Sequence, residues 1–112
     1  MGTAIDSTFD AEGHHSESLR TLAAYLEIAL ERGKSVVLMR RDAKIFSIYI
    51  GNPADEESEL NRRGTISKAV AEELLELTQV GLNRITVGDQ TYRFFRSFTL
   101  ISDVGAVIFA PT

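Results

Sequence analysis

The hydrophobic period of this chain switches from helical to extended twice, and that double switch limits the folds open to it. Leu19, Leu22, Ala23, Leu26, Ala29 and Leu30 recur at spacings of three and four residues. Such spacing puts them on one face of a helix, which Tyr25 and Ile28 widen. Ser16 and Ser18 are candidate N-caps, and Gly33 is the expected stop, because glycine takes the left-handed cap position without strain. Two short β-branched and aromatic runs follow, SVVLMR and KIFSIYIG, with a break at Arg41-Asp42. They read as a hairpin. Asn52-Pro53 ends the second run, since proline has no N–H to give a ladder.

After a polar loop over 54–64, ADEESELNRRG, the pattern recurs. Thr65 or Ser67 caps a second helix whose stripe is Ile66, Ala69, Val70, Leu74 and Leu77, closed by Gly81. NRITVG, a turn at Gly88-Asp89 and the strand TYRFFRSF come next, then a last strand from Val104 to Ala110 before Pro111. Sliding residues 22–50 onto 70–98 without a gap puts Ala23 on Ala71, Leu26 on Leu74, Gly33 on Gly81 and Phe46 on Phe94. The order predicts an α+β fold: two helices packed on one face of an antiparallel sheet of about five strands. It also suggests two αββ repeats related by a pseudo-two-fold axis, against the alternative that any two αββ runs look alike at this level.

A chain of 112 residues, 44% hydrophobic and 25% charged, is one ordinary globular domain. Residues 1–15 carry no periodic apolar pattern and are expected to be a flexible tail before a single domain over 16–112. With no cysteine there is no disulfide framework, thiolate nucleophile or cysteine-type zinc site. No basic-then-apolar leader and no membrane-length apolar run is visible, which points to a soluble, cytoplasmic protein.

Catalytic constellations are hard to assemble. His14 and His15 are the only histidines and fall on the expected tail. No GxSxG surrounds a serine, and Lys34 after Gly33 lacks the glycine-rich run of a phosphate loop. The carboxylates of Asp55, Glu56, Glu57 and Glu59 read as a solvated charge run offset by Arg62 and Arg63. No catalytic residue, cofactor or metal is therefore expected. Glu73 on the second helix and Arg96 on the aromatic strand are complementary in type and are expected to pair at the edge of the core.

The aromatic strand carries the functional question. Alternation puts Tyr92, Phe94, Arg96 and Phe98 on one side and Arg93, Phe95 and Ser97 on the other. With the turn centred near Asp89, Phe94 lies opposite Ile85 and Tyr92 opposite Val87. The first hairpin sets Phe46 opposite Val37 in the same way. The helix-covered face then takes Phe46, Phe94 and Phe98. The second face takes Val36, Leu38, Ile45 and Tyr49 from one hairpin and Arg84, Arg93 and Phe95 from the other. A patch so apolar marks an interaction surface, and arginine with aromatics is enriched at protein interfaces. The expectation is a small acidic, non-enzymatic protein-binding module of the regulator, inhibitor, immunity or chaperone type, which also forms a homodimer through this face. The alternative is nucleic-acid or nucleotide binding through Arg84, Arg93 and Phe95. The formal net charge of −4 counts against it, and the strand lacks the glycine pattern of an RNA-recognition motif.

Overall fold

The computed structural model describes residues 9–11, 17–55 and 59–112. Its elements are strand β1 (Phe9–Ala11), helix α1 (Glu17–Arg32), strands β2 (Ser35–Arg40), β3 (Ile45–Gly51) and β4 (Asn61–Ser67), helix α2 (Lys68–Leu77), and strands β5 (Gly81–Val87), β6 (Gln90–Ile101) and β7 (Val104–Pro111). One sheet runs β1-β5-β6-β7-β2-β3-β4. Its last six strands pair antiparallel, and β1 lies parallel to β5 at the edge. Both helices pack on the same face, so the α+β class read from the sequence holds, with one more antiparallel strand than expected. Residues 9–11, which the sequence gives to the tail, are this edge strand. The rest of that tail, His14 and His15 included, lies outside the described residues.

The local signals act as their chemistry dictates. The α1 stripe of Leu19, Leu22, Ala23, Leu26 and Ala29 is buried, while Leu30 at its margin faces out. Gly33 sits at φ +64°. Its N–H bonds the Leu30 carbonyl and the Lys34 N–H bonds the Ala29 carbonyl, the paired closure of a glycine-stopped helix. Ser67 caps α2 by accepting from the Val70 N–H at 3.2 Å. Ile66 belongs to β4, opposite Phe46, rather than to the α2 stripe.

Strand β4 begins at Asn61, inside the stretch expected to be loop. Asn61, Arg62 and Arg63 are exposed on it, and a polar edge strand has no alternation to betray it. Each half of the chain is thus a helix followed by three strands, and the element order does repeat. A two-fold axis normal to the sheet between β7 and β2 would exchange β5 with β4, not with β2, so it does not relate the halves as the sequences align.

Register decides which residues enter the core. The β5–β6 turn is the two residues Gly88 and Asp89, with Gly88 at φ +62°. Ile85 therefore faces Tyr92, and Asn83 faces Phe94. That is two residues from the expected pairing, and an even shift preserves the faces. The β2–β3 connection is four residues, Arg41 to Lys44. The Asp42 carboxylate accepts from the N–H groups of Lys44 and Ile45 at 2.8 and 3.0 Å. Phe46 consequently faces Arg40, and Val37 faces Tyr49. This odd shift carries β2 across to the other face. Val36 and Leu38, assigned above to the second face, are 1% and 2% exposed in the core under the helices.

That core joins Leu22, Leu26 and Leu74 to Ile48, Ile50, Ile85, Phe94 and Phe109. The rings of Phe94 and Phe109 meet edge to face at 5.6 Å. Polar groups brace its margin. The Ser18 hydroxyl donates to the Glu73 carboxylate, tying the helices together. Arg96 Nη1 donates to the carbonyls of Leu75 (3.1 Å) and Thr78 (2.7 Å) and to Thr78 Oγ1 (2.9 Å). The expected Glu73–Arg96 pair is replaced by these two contacts. A guanidinium at a helix C-terminus meets carbonyls that have no intrahelical donor, and the burial that this requires lowers the Arg96 pKa. Phe98 shares the helix side but is 66% exposed, and its ring lies over Gly105.

The Tyr92 hydroxyl donates to Glu27 on α1 at 2.6 Å. Burial, helped by that bond and the nearby carboxylate, raises the phenol from 10.0 to about 12. The unfolded phenol ionises first. The contribution of this group to stability is therefore complete below pH 10.0 and is lost as the pH climbs to about 12. Urea midpoints at pH 9 to 12 are expected to fall more steeply for the wild type than for Tyr92→Phe. Parallel curves would refute this.

Candidate interaction surface

The face away from the helices is built by the outward set of each strand. Cross-strand pairing aligns Ser97, Ile108, Val37 and Tyr49 in one row, and Thr99, Ala106, Met39, Ser47 and Thr65 in the next. Toward one end Leu82 pairs with Phe95 and Arg84 with Arg93. Val104, paired with Ile101, and Ile45 lie at the other end. Neither helix reaches this side. Phe95, Val104, Leu82 and Ile45 are each about two-fifths exposed. Val37 and Ala106 are nevertheless buried in the middle.

The segment after β3 closes one end. Leu60 sits above Gly51 on this side, so close that a Cβ at Gly51 would lie 2.5 Å from Leu60 Cδ2. Between residues 52–55 and the floor formed by Ser35, Ser97 and Ile108 is an open cleft of about 450 Å³.

Of the seven residues expected on the second face, Ile45, Tyr49, Arg84, Arg93 and Phe95 are there, and Val36 and Leu38 are not. Arg84 and Arg93 are directly opposed at one end of the face. Leu82, Met39, Val104 and Ile108 were missed. The alternation of VGAVIFA gives the parity of Ile108, but not the position of β7 beside β2. Among the described residues no group of three or more His, Cys, Asp or Glu side chains converges as metal ligands do. No helix among them is long and apolar enough to cross a membrane. Glu56 and Glu57 of the acidic run lie outside the described residues.

No protein-family model matches the chain, and comparisons with curated proteins and with solved structures find no match.

Proposed function

We propose that the chain is a small, acidic, non-enzymatic protein-binding module that works through the open face of its sheet. One observation carries this reading: the face away from the helices exposes Phe95, Leu82, Ile45 and Val104 around a row containing Tyr49 and Ile108. An antiparallel sheet with water on one side normally alternates apolar with polar, and patches of this kind mark interaction sites. Rings and arginines around an apolar centre are the composition of protein interfaces.

Nucleic-acid binding is the second reading, favoured by Arg84 and Arg93 standing opposite each other on β5 and β6, with Phe95 on the same face. The net charge of −4 weighs against sequence-independent phosphate binding.

Capture from a lysate of the native host separates the two. Nuclease-resistant protein is expected to be retained by the wild type and by Leu30→Glu on the helix face, and lost with Phe95→Glu. Retention on heparin that disappears with Arg93→Glu, without any protein capture, would move the assignment to nucleic acid.

A further inference from the structure

We propose that the occupant of the open face is a second copy of this chain, the two sheets packed face to face about a two-fold axis parallel to the strands. This rests on reading that face as protein-binding, and adds the partner and the orientation.

Six antiparallel strands place the midline of the face between β7 and β2. The apolar pair Val37 and Ile108 sits on that midline. On the β6 side the outward residues run Arg93, Phe95, Ser97, Thr99, Ile101. The rows that join Ser97 to Tyr49 and Thr99 to Ser47 fix the levels of the β3 side. Continuing two residues each way, Ile101 stands level with Ile45 and Phe95 level with Gly51.

A two-fold axis along the midline lays each β6 residue over the β3 residue of the same level in the second copy. Ile101 then covers Ile45, and Phe95 meets Leu60 where it packs over Gly51. Thr99 comes over Ser47, which is already buried within its own chain. Arg93, one level beyond Phe95, reaches the segment that carries Glu59. The face is thus self-complementary in charge as well as in apolar surface, as an isologous interface must be.

The competing two-fold axis, in the plane of the face but across the strands, fails on the same residues. Centred on the row of Ser97 and Tyr49, it would bring Arg93 of one copy against Ile101 of the other, taking a charge out of water without a partner. Six strands spaced by about 4.8 Å give on the order of 600 Å² in projection, and accessible area exceeds projection. About 600 Å² per partner is the low end of specific interfaces, against roughly 800 Å² for a standard one.

Light scattering and sedimentation equilibrium test this on the full chain. The wild type is expected at twice the 12.4 kDa of one chain, and Phe95→Glu at the single mass with its circular dichroism unchanged. Arg93→Glu and Glu59→Arg are each expected to weaken the dimer about fivefold or more, and the double variant to regain most of that loss. A wild type that stays at 12.4 kDa into the high micromolar range overturns the homodimer, while leaving capture of a different protein by the same face intact. A dimer that survives Phe95→Glu overturns the proposal and removes its face. Dimerisation with no recovery in the double variant overturns the axis.

Discussion

Phe94→Ala is expected to cost about 3–5 kcal/mol, the largest loss from any single truncation of the sheet. Phe94 is fully buried. It faces the helices from the middle of β6 and meets Phe109 of β7 edge to face. Removing the ring forfeits its transfer from water, the edge-to-face contact and the packing of the groups around it. Across β5 it is opposed by Asn83, whose side chain is held by hydrogen bonds and is not free to fill the space. Since domains of this size hold about 5–15 kcal/mol in all, the variant should melt far below the wild type or fail to fold. Phe95→Ala is the control. It lies one residue away on the opposite face and is 43% exposed, so its loss in the single chain is expected below about 1 kcal/mol. Urea titrations of the two variants decide this. A midpoint for Phe95→Ala at or below that of Phe94→Ala would invert the assigned faces of β6.

The contrast between those neighbours shows how much of the fold was legible. Within β6 the alternation is strong and the turn is marked by glycine, so the parity of Tyr92, Phe94 and Arg96 follows from pattern alone. The helices follow from stripes and caps. The first hairpin resisted because SVVLMR is apolar on both sides. Val36 and Leu38 enter the helix core, while Val37 is buried on the opposite side. A run with two apolar faces carries no parity signal, and its register then rests entirely on the turn. Whether Arg41-Asp42 is the turn or half of a four-residue loop depends on Asp42 accepting the N–H groups of Lys44 and Ile45, and the aspartate fits either.

Phe98 shows a different limit. Its parity is correct, but burial depends on which strands the helices cover, and nothing in β6 encodes that. The candidate surface was legible to the same degree. The residues of β3, β5 and β6 were placed on it, those of β2 were not, and the contribution of β7 awaited the sheet order. The polar contacts were the least legible. Glu73 and Arg96 each found a partner, but each partner is set by a third residue that periodicity does not rank, Ser18 for one and Thr78 for the other.

Asn83 is the strongest case of such a hidden residue, and Asn83→Ala is expected to cost about 3 kcal/mol. In the sequence it is an unremarked polar residue at the start of NRITVG. In the fold it is 1% exposed, on the helix side of β5. Its amide nitrogen donates to the carbonyls of Gln79 at 2.7 Å and Gly81 at 3.0 Å, and its carbonyl accepts the Gln79 N–H at 2.9 Å. One side chain therefore satisfies three backbone groups in the turn between α2 and β5, where Gly81 takes φ +102°. The same turn receives the Arg96 guanidinium at Thr78, so strand and helix are joined there from two directions. Alanine would strand those groups where water enters poorly, and each unsatisfied buried group costs roughly 1–3 kcal/mol. The loss of side-chain volume beneath Phe94 adds to that. Relaxation of the turn toward solvent subtracts, which keeps the total near the stated value rather than at the sum. Urea unfolding gives the magnitude, and hydrogen exchange at the Gln79 amide gives the cause. Protection of that amide should fall by more than the global loss of stability predicts. An Asn83→Ala protein with wild-type stability and an unchanged Gln79 exchange rate would show that the turn is held by Arg96 and the backbone alone.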